Sequence, residues 1–199
     1  MDKIFVIGGM GAGKSTARKA LVDQGLEYID LDQIGHEIHH WQVVKDDLVE
    51  AFGKDVLDEF GEVNRSVLAK KAFVNPTETR KLNRITMPRI EDAFRTKLDE
   101  LEAQGCPAVV VEYSVFRNRQ MSLAYLADIV IAVLAPLELR IERAVASGFD
   151  EQDVRRRIAQ QITDAERIEQ SDVVFNNDGT KEELYNKVVA WWHEYNAID

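Results

Sequence analysis

At 199 residues the chain has enough material for one sizeable hydrophobic core, and a single domain is the expectation. Apolar residues make up 45% and charged residues 30%, a globular balance that argues against disorder and against a bilayer-embedded bundle. The formal net charge of −10 argues against general binding to nucleic acid or anionic membrane, while leaving room for a local basic pocket that takes a small polyanion.

The chain opens with Asp2-Lys3 and the apolar run Ile4 to Ile7, too short for a secretory signal and suited to a buried strand. Gly8-Gly9-Met10-Gly11-Ala12-Gly13-Lys14-Ser15-Thr16 follows at once and fits G-x-x-x-x-G-K-[ST] at every fixed position. Strand, glycine-rich turn and helix start, in that order, make a phosphate-binding loop. Glycines let backbone N–H groups curl around a polyphosphate, and the next helix adds its unpaired first-turn N–H groups and positive dipole end. Gly9, Gly11, Ala12, Gly13 and Thr16 are therefore expected to line a nucleotide. Lys14 is expected to reach its β- and γ-phosphates, and the Ser15 hydroxyl to ligate Mg²⁺.

The second apolar run, Tyr28 to Leu31, leads into Ile29-Asp30-Leu31-Asp32. Read as a strand, it points Asp30 and Asp32 to one face at the carboxyl edge of the sheet, where ligands gather. A carboxylate there can take the proton of an attacking hydroxyl or hold a metal-bound water. It can also simply cap the next helix, a plainer role that weighs more on Asp30 than on Asp32. His36-Glu37-Ile38-His39-His40 then satisfies H-E-x-x-H, the zinc-protease pattern. No downstream ligand pattern accompanies it, and a solvated or substrate-facing helix is the better reading. The whole stretch from 33 to 107 is helical in pattern, too long for a standard crossover. Such an insert either shapes a second substrate's pocket or is extra packing.

Asn75-Pro76-Thr77-Glu78 marks a helix start, and the long helix after Pro88 can end at Gly105, with Pro107 blocking extension. Cys106, the single cysteine, cannot close an internal disulfide, which fits a reducing, cytoplasmic setting. Ala108 to Val111 is a third strand and ends at Glu112, an acid set either for a metal site or merely for solvent. Ile129 to Leu134 and Val173 to Phe175 complete five strands separated by helical patterns. The fold class is α/β, a mostly parallel sheet covered by helices on both faces.

From Val133 to Gln170 every basic residue is arginine, and acids are interleaved among them. One or two of these guanidinium groups are expected to serve phosphate from a helical lid, the rest to sit in surface ion pairs. Thr163-Asp164-Ala165-Glu166 and Thr180-Lys181-Glu182-Glu183 fit the capping box, and one ring of Trp191-Trp192 should pack on the core.

Taken in order, these motifs resemble those of the dephospho-coenzyme A kinase family over nearly the whole chain. The loop Gly8–Thr16 and the segment Ile29–Asp32 are joined by Phe52-Gly53, Gly61-Glu62-Val63-Asn64-Arg65 and Phe73-Val74-Asn75-Pro76. Arg143 after Pro136, Gln160-Gln161 and the turn Asn176-Asn177-Asp178-Gly179 complete the set. The resemblance implies one P-loop kinase-type domain over 1–199, its core at about 1–32 and 106–199. It further implies a helical substrate-binding insert at about 33–105 and an arginine-containing lid at about 138–170. The activity implied is ATP-dependent phosphorylation of the ribose 3′-hydroxyl of dephospho-coenzyme A, the last step of coenzyme A synthesis. By position, Asp32 would be the general base and a ligand of Mg²⁺, with Ser15 also on the metal. Lys14 and Arg143 would stabilise the transferring phosphoryl group, and Asn177 would lie by the adenine.

Ile7, His36, Met87, Asn118 and Ser147 stand where that family usually has Thr, Arg, His, Glu and Arg, and several of these departures fall on the acceptor side. They keep two rivals in view. One is a kinase of another small acceptor, such as a nucleoside monophosphate. The other is a nucleotide-dependent switch that phosphorylates no metabolite, against which the lack of an N-K-x-D motif counts. The partners expected are small molecules; nothing announces a nucleic acid, a membrane or an obligate protein partner.

Overall fold

The structure, a computed structural model, describes residues 1–121 and 123–197. Its strands are β1 (Asp2–Gly8), β2 (Glu27–Asp30), β3 (Ala108–Glu112), β4 (Ile129–Leu134) and β5 (Val173–Asn176). They form one all-parallel sheet in the order β2-β3-β1-β4-β5. The helices are α1 (Lys14–Val22), α2 (Leu31–Glu37), α3 (Gln42–Phe52), α4 (Arg65–Ala72) and α5 (Pro76–Ala103). After β4 come α6 (Leu137–Ala146), α7 (Glu151–Ala159) and α8 (Asp164–Glu169), and α9 (Lys181–Asn196) follows β5. Among the described residues, no helix is long and apolar enough to cross a membrane.

The chain divides into two compact units, residues 1–30 with 101–199 and residues 31–100. The first holds the whole sheet. β1, β3 and β4 are central and buried, so they read as unbroken apolar runs rather than alternating ones. On one face Ile4, Val6, Val110, Ile131, Val133 and Phe175 pack with Ala17 and Leu21 of α1 and Leu184, Val188 and Trp192 of α9. Burying each of the larger side chains contributes about 1.5–3 kcal/mol, which makes this face the main anchor of α1. Trp192 is the core tryptophan, at 7% exposure, whereas Trp191 packs from outside and stacks on Tyr195 at 5.4 Å between ring centroids. Phe5 points to the opposite face, edge-on to Tyr113, which in turn meets Phe116.

Both capping boxes form, at Thr163 with Glu166 and at Thr180 with Glu183. The helix stop at Gly105 also forms: Gly105 N–H donates to Glu102 O (3.0 Å) and Cys106 N–H to Leu101 O (3.1 Å), with Gly105 at φ +77°.

Two boundaries differ from the sequence reading. β2 stops at Asp30, and Leu31 opens α2, so Asp30 and Asp32 do not alternate along one strand. Leu31 and Ile34 are both buried, and that three-residue spacing is the stripe of a helix. Asp32 therefore stands in the first turn of a helix. The long helix, too, begins earlier: α5 starts at Pro76 and runs through Pro88. Asn75 Oδ1 opens it by accepting from the N–H groups of Thr77 (2.9 Å) and Glu78 (3.0 Å).

In the unit of residues 31–100 the two ends of the H-E-x-x-H pattern go to different partners. His36, in α2, has Nε2 2.6 Å from Arg65 Nη2, so Nε2 is the unprotonated, accepting nitrogen. His40 belongs to the short 3₁₀ turn Ile38–His40, and its Nδ1 lies 2.8 Å from Glu62 Oε2. Between them His39 is half-buried, and its Nδ1 finds no hydrogen-bond partner among the described residues. Burial first, then the charge of the nearby Arg65, hold the His39 pKa below its ordinary 6.5. A histidine with a depressed folded pKa favours folding above its unfolded pKa and loses that contribution as pH falls through it. Acidifying from about pH 7.5 to 5.5 should therefore lower the melting temperature of the wild type more than that of His39→Gln, as followed by circular dichroism. Parallel curves would contradict this.

Candidate active site

β1 delivers the chain to the carboxyl edge of the sheet at Gly8, and α1 begins at Lys14, so the glycine-rich stretch is the turn between them. The turn is closed by Ala12 N–H donating to Gly9 O (3.1 Å) and Thr16 N–H to Gly13 O (3.0 Å). Gly13 is the N-cap of α1, at φ +108°, and no side chain there accepts from the first turn. A helix start of this kind is suited to an anion. Gly13 has a second reason to lack a side chain, because a Cβ would overlap the Asn177 amide.

Asn177 is placed on the loop itself. It is 3% exposed, its Nδ2 donates to Ala12 O (2.7 Å) and its N–H to Leu134 O (2.7 Å). Its Oδ1 is buried with no hydrogen-bond partner among the described residues. Lys14 is half-buried and its ammonium reaches back to Gly8 O (3.1 Å), while the Ser15 side of α1 is exposed. A groove of about 710 Å³ runs along this helix, lined by Ser15, Thr16, Arg18, Lys19, Tyr28 and Tyr185 among others.

The arginine segment divides by partner. Arg155 pairs with Glu138 and Glu151, and Arg156 and Arg157 with Asp153, all at the surface. Such exposed pairs contribute little and match the interleaved acids of the sequence. Arg143, half-buried on α6, donates from Nη1 to Asn177 O and from Nη2 to Gly179 O, both at 3.0 Å. Its guanidinium thus rests on the turn after β5. Arg140, one helical turn earlier, is the arginine that lies against the glycine loop.

Acids gather at the ends of the neighbouring strands. Asp30 and Glu112 are register partners across β2 and β3. Tyr28 OH donates to Asp30 Oδ2 (3.0 Å), and the Arg18 guanidinium lies over the Tyr28 ring at 4.4 Å and 4.0 Å from Glu112 Oε2. Burial, reinforced by the charges of Asp30 and Glu112, pushes the Tyr28 phenol up to about 12, so it remains a donor at neutral pH. Asp32 is exposed in α2, two residues past the end of β2.

Sequence reasoning did not single out Arg18 or Tyr28; it held Arg140 only as one of the arginines of the segment, and Gln161 only as part of the Gln160-Gln161 pair. Arg140 left a further signal: it sits one residue before Ile141 and four before Ala144, on the apolar side of α6. A backbone nest, a lysine, an exposed hydroxyl and strand-end carboxylates together suit polyphosphate binding beside a proton acceptor.

The family described as dephospho-CoA kinase has a model that matches residues 4–183. A dephospho-CoA kinase of Corynebacterium glutamicum is 38% identical over 96% of each chain. Among solved structures, TT1252 from Thermus thermophilus superposes with a TM-score of 0.82 at 26% identity, covering 97% of both chains. The dephospho-CoA kinase of Campylobacter jejuni has a TM-score of 0.66 at 21% identity, over 97% of this chain and 96% of that one, a likeness of fold. A match that begins in β1, takes in the loop, the strand-end acids and the Asn177 turn, and ends in α9 leaves one assignment: this chain belongs to the dephospho-CoA kinase family.

Proposed function

We propose that the chain transfers the γ-phosphoryl group of ATP to the ribose 3′-hydroxyl of dephospho-coenzyme A, giving coenzyme A and ADP. The observation that carries this reading is the complete phosphate loop at the carboxyl edge of a parallel sheet, in a chain of this family. The loop residues Gly9, Gly11, Ala12 and Gly13, with Thr16, hold the triphosphate, and Asn177 borders the adenine. Asp32 takes the proton of the 3′-hydroxyl, whose oxygen bonds to the γ-phosphorus as the bond to the bridging oxygen breaks and ADP leaves. Lys14 balances the charge of the transferring group, and Arg143 joins it when the segment 138–170 closes as a lid and excludes water.

The Ser15 hydroxyl and the Asp32 carboxylate are hard oxygen donors that fit Mg²⁺. When bound, Mg²⁺ neutralises charge on the phosphates. The insert at 33–105 supplies the acceptor pocket within one kinase domain, the setting is cytoplasmic, and the partners are small molecules. A coupled assay of ADP release with dephospho-coenzyme A and with a panel of nucleoside monophosphates tests the choice of acceptor. Turnover is expected with dephospho-coenzyme A; turnover only with a monophosphate would overturn it.

A further inference from the structure

We propose that Arg140 is a positioning residue for the phosphate loop, acting on Met10 together with Gln161. The proposal rests on the nucleotide-binding reading of the loop and adds residues outside the motif. Arg140 is 5% exposed. Its Nε donates to Met10 O (3.0 Å), Met10 N–H donates to Gln161 Oε1 (3.0 Å), and that same oxygen accepts from Arg140 Nη2 (3.1 Å). The three bonds close a ring that occupies both backbone polar groups of Met10, in the middle of the loop. Interlocked bonds of this kind fix the two peptide planes flanking Met10 more firmly than any one of them alone.

The glycines on either side conform to the same contact. A Cβ on Gly9 would overlap the Arg140 guanidinium, and one on Gly11 would overlap the Arg140 backbone carbonyl. Two glycines of the motif therefore make room for an arginine as well as for phosphate. The Met10 side chain is held too, packed against Ile141, Ala144 and Val154 of α6 and α7.

Electrostatics favour an anion here. Arg167 is also buried, at 4% exposure, and its Nη1 lies 2.6 Å from Asp164 Oδ1, while Arg140 Nη1 lies 3.7 Å from the same oxygen. One carboxylate serves two buried guanidinium groups, leaving positive charge beside the loop. A neutral side chain could hold Met10 without the cost of burying that charge. An arginine adds a fixed cation that complements a polyphosphate in a low-dielectric setting. Arg140 and Gln161 both come from the arginine segment, so the ring also ties the loop to it.

The test titrates Mg-ADP calorimetrically into the wild type, Arg140→Gln, Gln161→Ala and the double variant, and measures both KM values. Wild-type binding establishes the underlying reading; its absence would sink that reading and this proposal with it. Each single variant should bind Mg-ADP about tenfold more weakly, the effect of one charge-assisted hydrogen bond, with the KM for dephospho-coenzyme A within about twofold. The double variant should be no weaker than the worse single one, because the ring acts as a unit. Wild-type affinity in the single variants, or both KM values rising in parallel, would overturn the proposal. Should Arg140→Gln fail to fold, Gln161→Ala decides alone.

Discussion

Asparagine in place of Asp32 is expected to lower phosphoryl transfer about 10²–10⁴-fold, the range for loss of a positioned base, while ATP still binds. The substitution keeps size and shape. Asp32 is exposed in the first turn of α2, where a carboxylate's helix-dipole contribution is about 0.3–1 kcal/mol, so the variant is expected to stay folded. Steady-state kcat from the coupled assay, read beside nucleotide affinity, separates chemistry from binding. Unchanged transfer would remove Asp32 as the base.

Lys14→Ala is the second large effect. Loss of a preorganised cation at the transferring group should lower kcat about 10²–10³-fold. Stability should hardly follow, because the half-buried ammonium lies at the glycine loop rather than in the apolar core, and its bond to Gly8 O is a modest one. A neutral or charge-assisted bond of that kind is worth about 1–2 kcal/mol, or a few degrees in the melting temperature of a chain this size. A ligand-free melting temperature lowered by more than about 10 °C would assign Lys14 to the fold rather than to the ligand.

Much of this was legible in the residues because the chemistry is local. The loop needs its glycines, lysine and serine at fixed spacing along one turn, and β1, β3 and β4 announce themselves by being buried on both faces. The capping boxes at Thr163 and Thr180 are equally local. The end of β2 was not legible, since Ile29-Asp30-Leu31-Asp32 satisfies strand alternation until Ile34 shows that Leu31 begins a helical stripe.

The roles of the arginines were the least legible. Arg140 and Arg143 lie three residues apart on one helix, and which of them meets the loop depends on how α6 is rotated about its axis. Ile141 and Ala144 of α6 pack with Val154 of α7 and with Met10 of the loop, a tertiary fact. Gln161 bonds a backbone amide 151 positions away, and no local pattern encodes such a pairing.

The most direct measurement is a calorimetric titration of the folded wild-type chain with ATP and Mg²⁺ in the absence of acceptor. A loop built to cradle a triphosphate predicts saturable heat with one site per chain, greatly weakened in Lys14→Ala. Absence of any binding heat from well-folded protein across a range of temperatures would contradict it.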